Sequence, residues 1–186
     1  IKAGGNVLAL QSDGSWKTAP VISSDGLGDQ NTKIPFAIYV TLENSTTLIT
    51  APDHIFWKPN KSLVRADRLS PGEELTLAAD GKAVKISHVA PGDYYGPLWN
   101  IVATSETNVS SPYGHLINTA GVVSGDWALQ RKETHSLVSE PQIGTEVYMA
   151  KFASFMQAQS SMPDTVMIDE EKGIKFQPYK PIDIPE

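Results

Sequence analysis

Residues 47–57, TLITAPDHIFW, carry the strongest signal for the fold and chemistry of this chain. The segment begins with β-branched and aliphatic residues typical of a strand, and Pro52 ends that strand. His54 follows Thr50 by four residues, so a hydroxyl and an imidazole can face one point beyond the strand end. There they could polarise a carbonyl and pass a proton to a departing amide nitrogen, provided that another group supplies the nucleophile. The plainer interpretation is a turn histidine with a structural role.

Short strand-like segments alternate with turn sequences from residue 6 to residue 129. The turn sequences are rich in Gly, Pro, Asp and Ser, as in SDG (12–14), SPG (70–72) and ADG (79–81). This spacing predicts an all-β fold of many short antiparallel strands. The segment APGDYYGP, residues 90–97, is expected to interrupt the strands, and no helix is predicted before residue 140.

The pattern changes after Pro141. Thr145 is a plausible N-cap for a helix over residues 145–159. The apolar face of that helix would consist of Val147, Met149, Phe152, Phe155 and Met156. The Pro-rich end of the chain is expected to be extended. We therefore expect a β domain over residues 1–130 and a helical and extended appendage over residues 131–186, which either packs on the β core or forms a separate recognition segment.

Composition excludes several classes of function. The 186 residues carry a net charge of −6 without a basic cluster, which argues against nucleic-acid binding. There is no cysteine, so thiolate metal sites and a cysteine nucleophile are excluded within these residues. No nucleotide-binding or metal motif is found, and no cofactor is expected. Sequons at Asn44, Asn60 and Asn108 favour a secreted or cell-surface origin.

Five segments, in order along residues 3–129, resemble blocks of the Hint module, the self-processing fold of inteins and of hedgehog C-terminal domains. They are AGGNVLALQSDG, LITAPDHIFW, VRADRLSPGEELTLA, GDYYGPL and GHLINTAGVVSGDWAL. The hedgehog version is the closer likeness: the second segment is similar to its L-T-x-T-P-x-H-L block. The resemblance implies an all-β, horseshoe-like fold with pseudo-two-fold symmetry.

The resemblance also implies a reaction. In the Hint family a nucleophile at the first residue of the domain attacks the preceding carbonyl in an N→S or N→O acyl shift. Water, another side chain or, in hedgehog proteins, a sterol then resolves the ester. The implied partners of this chain are its own N-terminal precursor segment or a complementing chain, and possible small nucleophiles include a sterol.

Site residues follow from the same resemblance. Thr50 and His54 match the Thr and His that activate the scissile amide, although three residues separate them here and two in the family. Asp25 falls near the acidic residue that activates the second nucleophile, and Asp126 stands where the family has Cys. The family's nucleophile-bearing strand is expected upstream of Ile1, so this chain is expected to lack the first nucleophile. The alternative is a non-catalytic interaction module on a degenerate Hint scaffold.

Overall fold

The computed structural model describes residues 1–29, 31–104, 109–152 and 159–180. Antiparallel strands dominate these residues, which confirms the predicted all-β class. The strands are β1 (Asn6–Leu10), β2 (Trp16–Pro20), β3 (Ser23–Leu27), β4 (Lys33–Leu42), β5 (Thr47–Thr50), β6 (Ile55–Trp57), β7 (Leu63–Arg65), β8 (Glu74–Thr76), β9 (Ala83–Tyr95), β10 (Leu98–Val102), β11 (Leu116–Thr119), β12 (Val122–Gly125), β13 (Val166–Asp169) and β14 (Ile174–Pro178). A 3₁₀ turn spans Ala66–Arg68, and two short helices are α1 (Trp127–Glu133) and α2 (Glu146–Lys151).

The strands form two larger sheets and one two-stranded pair. The first sheet has the order β2-β1-β11-β12-β6-β7, and the second has the order β13-β14-β9-β4-β5. Strands β10 and β3 pair with each other, and β8 pairs with β9. The chain passes from the second sheet to the first between β5 and β6, within the stretch TLITAPDHIFW.

Turn chemistry explains two hairpins of the fold. Between β4 and β5, Ser45 adopts a left-handed conformation (φ 67°) and its N–H donates to the carbonyl of Leu42. Between β11 and β12, Ala120 and Gly121 both have positive φ, as a tight two-residue hairpin turn requires. The side chain of Asn118 accepts the N–H of Gly121 and closes that turn.

Strand β9 contradicts the predicted interruption at residues 90–97. It continues through Pro91 and Gly92 for 13 residues. A register shift in the facing strand β4, between Ile34 and Ala37, absorbs the irregularity. On the other side β14 lies against Gly92, where a Cβ would sit 2.4 Å from the carbonyl oxygen of Gln177. The glycine thus lets a third strand approach the backbone instead of ending the strand.

Helix α1 is a second departure, because no helix was predicted before residue 140. It has only seven residues, too few for a clear helical period. Its start is fixed by Asp126, whose side chain accepts the N–H of Leu129. Leu129 is buried against β12, and its Cδ2 would lie 3.2 Å from a Cβ placed on Gly125.

The predicted C-terminal helix is present as α2, and its N-cap is confirmed: the Thr145 side chain accepts the N–H of Tyr148. The predicted face is partly wrong, since Val147 is 68% exposed whereas Tyr148 is buried. Met149 is buried and Phe152 packs on the main core cluster, as expected. Phe155 and Met156 lie outside the described residues. The Tyr148 hydroxyl donates to the carbonyl of Leu69, so α2 packs on the β core.

The main core joins both sheets. It contains apolar residues from β4, β5, β6, β8, β9 and β12, together with Ile143 and the two buried residues of α2. The Pro-rich end of the chain also joins the second sheet, because β14 pairs with β9 and β13 pairs with β14. The domain boundary at residue 130 stays a prediction.

One further expectation concerns the surface. The sequon residues Asn44 and Asn60 lie on exposed turns, and Asn108 lies outside the described residues. Among the residues that the structure describes, no helix has the length and apolar character needed to cross a membrane. The secreted origin stays a prediction.

Candidate functional site

The site is built on the tight turn that connects the two sheets. Thr50 ends β5, and His54 immediately precedes β6. The backbone N–H of His54 donates to the carbonyl of Ala51 (N···O 3.2 Å), which closes a four-residue turn around Pro52 and Asp53. The turn accommodates the three residues that separate the threonine from the histidine.

Thr50 presents a buried hydroxyl without a partner. The residue is 6% exposed, and its Oγ1 forms no hydrogen bond with any described residue. A hydroxyl left unpaired in the interior costs about 1–3 kcal/mol relative to a satisfied one. The fold therefore retains a polar atom at the strand end that packing alone would not favour.

His54 is held in its neutral form. Burial lowers the pKa of His54 to about 4, and this effect outweighs the opposing influence of the Gln130 side chain and of the Asp53 charge. The ring nitrogen Nε2 is enclosed and has no hydrogen-bond partner among the described residues. The ring meets Phe56 edge-on, with a centroid distance of 5.1 Å. A neutral imidazole in this position can take up a proton and pass it on.

His54 lines an open cleft of about 320 Å³. The described residues around it include Asp126, Asn100, Trp99 and Trp127. Trp99 is 59% exposed and its ring covers Gly26 on β3, where a Cβ would lie 2.6 Å from the indole. The cleft thus combines polar side chains with two indole rings beside the imidazole.

Asp126 reaches the same cleft, but its carboxylate has structural partners. Oδ1 accepts the N–H of Leu129 (3.0 Å) at the start of α1, and Oδ2 accepts the N–H of Ala103 (2.9 Å). The Nδ1 atom of His115 lies 3.1 Å from Oδ2 and 3.2 Å from Oδ1. Asp126 is 1% exposed and caps a helix in the position where the resemblance expected a nucleophilic residue type.

The other histidines have different surroundings. His115 is fully buried against Asp126. His88 is half-buried in β9, with Nε2 2.7 Å from the sulfur of Met162. His135 is exposed. Only His54 among the four combines an enclosed, unpartnered nitrogen with the cleft that Asp126 lines.

Asp25 lies apart from this arrangement. It is exposed on β3, directly opposite Asn100 of β10. Asn100 lines the cleft, whereas Asp25 and Thr50 are not among the described residues around it. The structure thus brings His54 and Asp126 to one cleft and places Asp25 across a strand pair from it. The catalytic roles of Thr50, His54, Asp25 and Asp126 stay predictions.

Gln130 is the residue at this site that the sequence did not indicate. It lies on α1 and is 1% exposed, and neither atom of its side-chain amide has a hydrogen-bond partner among the described residues. It is close enough to His54 to affect the pKa of that imidazole. The only sequence feature that could have indicated Gln130 is its position four residues after Asp126, the N-cap of α1. That feature can be recognised only once α1 is known.

A buried ionic cluster supports the turn from below. The backbone N–H groups of Asp67 and Ala66 donate to the carbonyls of Pro52 (2.9 Å) and His54 (2.7 Å). Asp67 itself is fully buried, and Arg65 binds both of its carboxylate oxygens, at 3.0 and 2.7 Å. Among the described residues, no group of three or more His, Asp or Glu side chains could hold a metal ion.

Comparison with solved structures identifies the architecture. The chain is similar to a bacterial intein-like domain from Clostridium thermocellum, with a TM-score of 0.51 and 16% identity over 68% of this chain and 84% of that one. It is also similar to the Ssp DnaB mini-intein variant M86, with a TM-score of 0.51 and 12% identity over 67% of this chain and 77% of that one. The chain has the Hint fold.

Sequence comparison adds nothing to this Hint assignment, since no family profile and no curated protein matches the chain. A third Hint structure, a DnaB intein from Synechocystis, gives a TM-score of 0.50 at 15% identity over 65% of this chain and 77% of that one. Identities this low establish the fold alone. The predicted Hint-like fold is therefore confirmed, while the closer likeness to hedgehog proteins stays a prediction.

Proposed function

We propose that this chain is part of a self-processing Hint-type domain that cleaves the peptide bond at its own N-terminal junction in a single turnover. The observation that carries the proposal is the pair of enclosed, unpartnered polar atoms at the turn between the sheets, Thr50 Oγ1 and His54 Nε2. Groups that are buried without partners are costly in a stable protein and are most easily explained by a substrate that completes their hydrogen bonds.

The proposed first step is an acyl shift. A nucleophile from a residue upstream of Ile1, or from a complementing chain, forms a bond to the carbonyl carbon of the preceding residue, and the C–N bond then breaks. Thr50 donates a hydrogen bond to the carbonyl oxygen as negative charge develops on it. His54, neutral at pH 7 because of its low pKa, takes the proton of the nucleophile and transfers it to the departing nitrogen.

The proposed second step releases the ester or thioester. A water molecule, another side chain or a sterol hydroxyl attacks the acyl carbon, and its proton is accepted by a carboxylate. The bond between the acyl carbon and the oxygen or sulfur of the first nucleophile then breaks, and that nucleophile leaves and is protonated. Asp25 suits an external nucleophile because it is exposed, and its neighbour across the strand pair, Asn100, lines the cleft. The partner is the N-terminal precursor segment or a complementing chain, and the secreted origin predicted from the sequons belongs to this proposal.

A second candidate is a non-catalytic interaction module on a degenerate Hint scaffold. The observation that favours it is the structural use of Asp126, whose two oxygens are engaged by Leu129, Ala103 and His115 where the family has a cysteine. Under this hypothesis the cleft beside His54 would bind a partner without cleaving it.

The deciding experiment expresses the chain with its native upstream residues and follows self-cleavage by mass spectrometry. We expect cleavage in the wild type and its loss in His54→Ala and Thr50→Val. His135→Ala, which changes an exposed histidine, is the matched control and should cleave normally. Cleavage that persists unchanged in both site variants contradicts the assigned roles, and a wild type that never cleaves favours the interaction module.

A further inference from the structure

A second cleft, with a volume of about 520 Å³, lies apart from the cleft beside His54. It is bounded by the turn after β1, by the chain that runs from β8 into the turn at residues 79–81, and by the residues that lead into β11. Trp16, Trp57 and Tyr113 line it, and we call it the aromatic cleft. None of the described residues around it belongs to the cleft beside His54. Its volume is in the range of small-molecule sites in proteins.

Three aromatic rings from separate parts of the chain form the apolar walls of the aromatic cleft. Trp16 begins β2, Trp57 ends β6, and Tyr113 precedes β11. The rings of Trp57 and Tyr113 meet edge to face, with centroids 5.9 Å apart and planes at 70°. Both residues pack with Trp16 in the core cluster that contains Leu116. Rings held in this way offer a ligand rigid, flat apolar surface.

Thr76 adds a buried hydroxyl without a partner to the same cleft. The residue is 6% exposed, and its Oγ1 has no hydrogen-bond partner among the described residues. Side chains alternate between the two faces of a strand, and the neighbouring Leu75 belongs to the main core. Thr76 therefore points to the other side, where it lines the cleft, and Ala78 packs there with Trp57. A hydroxyl that is costly to leave unpaired is satisfied when a polar ligand binds beside it.

The rim of the aromatic cleft carries both acceptors and donors of hydrogen bonds. A hydrogen bond from Ser15 lowers the pKa of Asp13, and one from Lys82 lowers the pKa of Asp80, so both exposed carboxylates are ionised acceptors at neutral pH. Lys61, also exposed, lines the same rim and supplies an ammonium donor. Because Asp80 is already paired with Lys82 (2.9 Å) and Lys61 repels positive charge, the rim favours a neutral ligand with hydroxyl groups over a cation.

We propose that the aromatic cleft binds a neutral pyranose sugar, with one face of the sugar on the aromatic rings and its hydroxyl groups on Thr76 and the rim. The C–H bonds on a face of a pyranose carry a small positive charge and pack against the negative face of an aromatic ring. Its hydroxyl groups both donate and accept, so they match carboxylate, ammonium and hydroxyl partners at once. This site is independent of the proposed function, because none of its residues is assigned to cleavage.

The test adds the methyl glycosides of glucose, galactose, mannose and N-acetylglucosamine to the full chain and detects binding by saturation-transfer difference NMR. Titrations followed by tryptophan fluorescence then give the Kd. We expect at least one glycoside to bind, with the strongest saturation transfer to the C–H protons of one ring face, and we expect no binding of tetramethylammonium. Absence of saturation transfer to all of these glycosides would overturn the proposal, and so would binding of tetramethylammonium in their place.

Two variants locate the bound sugar. Trp16→Ala removes one aromatic wall and should raise the Kd about tenfold, and Thr76→Val removes the unpartnered hydroxyl and should raise it about threefold to tenfold. Trp99→Ala, the matched control, removes an indole from the cleft beside His54 and should leave the Kd unchanged. An unchanged Kd in either Trp16→Ala or Thr76→Val would overturn the proposal, as would loss of binding in Trp99→Ala. If Trp16→Ala does not fold, Thr76→Val decides alone, since valine keeps the shape of threonine.

The binding measurements do not depend on cleavage, so the two proposals fail separately. A glycoside that binds as expected to a chain whose precursor never cleaves would refute the proposed function and leave the sugar site intact. A precursor that cleaves, from a chain that binds no glycoside, would refute the sugar site alone.

Discussion

Two buried polar regions border the same turn, and they differ in how their hydrogen bonds are satisfied. On one side the Asp67 carboxylate accepts two hydrogen bonds from the Arg65 guanidinium, and Arg68 Nε lies 3.3 Å from Asp67 Oδ1. On the other side Thr50 Oγ1 and His54 Nε2 have no partner among the described residues. Both regions are enclosed, so exposure to solvent does not explain the difference.

The contrast separates a buried group that stabilises the fold, the paired Asp67 carboxylate, from groups that are free to bind a substrate, the Thr50 hydroxyl and the His54 imidazole. A buried carboxylate that is paired with guanidinium groups fixes the segments around it, because leaving either charge alone is expensive. Unpaired hydroxyl and imidazole groups hold nothing together and lower stability, which is expected where a protein reserves groups for a substrate. Changing the first region should therefore affect stability, and changing the second should affect processing.

The largest effect is expected at Asp67. Asp67→Asn removes the charge that neutralises the arginines around it and should lower the free energy of unfolding by about 3–5 kcal/mol. The measurement is urea denaturation monitored by tryptophan fluorescence. Asp80→Asn, which alters an exposed pair with Lys82, is the control and should cause no measurable change. Equal unfolding midpoints for the two variants would remove the distinction between the regions.

Substitution of Asp126 tests whether a residue that lines the cleft stabilises the fold in the way that Asp67 does. Asp126→Ala removes the cap of α1 and leaves the Ala103 N–H and His115 without their acceptor, so we expect a loss of about 2–4 kcal/mol. Asp126→Asn keeps a cap oxygen and should fall between the wild type and Asp126→Ala. Calorimetric melting measures both variants, and an Asp126→Ala protein as stable as the wild type would show that these bonds contribute nothing.

His54 gives a pH-dependent prediction. Its pKa is lowered to about 4 in the fold from about 6.5 in the unfolded chain, so the unfolded state binds more protons between these values. Stability from this residue is therefore fully present above about pH 6.5 and falls by about 2–3 kcal/mol as the pH drops to 4. The unfolding free energy of His54→Gln should lack this component over the same window. Parallel pH profiles for the two proteins would contradict the burial of a neutral imidazole.

The smallest effect on stability is expected at Thr50, with the opposite sign. Thr50→Val keeps the shape but removes the unpaired hydroxyl, so stability should be unchanged or higher by up to about 1 kcal/mol, while cleavage of the precursor is lost. Thr76→Val is the matched control, because Thr76 is also buried with an unpartnered hydroxyl. It should match Thr50→Val in denaturation and retain cleavage. Loss of cleavage in both variants would indicate a general packing effect.

Local chemistry made part of this molecule predictable from its sequence. The cap at Thr145 depends on residues only a few positions apart, and it was found as predicted. The position of His54 at the passage between two strands followed from Pro52 and the flanking strand residues. Ordered blocks along the chain, each weak alone, indicated the Hint fold that comparison with solved structures confirmed.

The parts that sequence reasoning missed depend on distant contacts. The continuity of β9 at Gly92 is set by Gln177, which lies 85 residues further along the chain. Gln130 is recognisable only through its burial and its closeness to His54, which lies far away along the chain, and no local pattern distinguishes it from a surface glutamine. Arg65 gave no local sign that it would bind the carbonyl of Thr134. These residues acquire roles through tertiary packing, which residue patterns do not encode directly.

The support beneath the His54 turn has a consequence for the time course of synthesis. Asp67, whose N–H holds Pro52, accepts the N–H of Ile143 through its own carbonyl, and Arg68 donates to the carbonyl of Glu140. Strand β14 then completes the second sheet beside β9. On a ribosome that adds roughly 5–20 residues per second, the turn is made many seconds before its last contacts exist. The folded arrangement around His54 is therefore completed only after Glu140 and Ile143 have been translated.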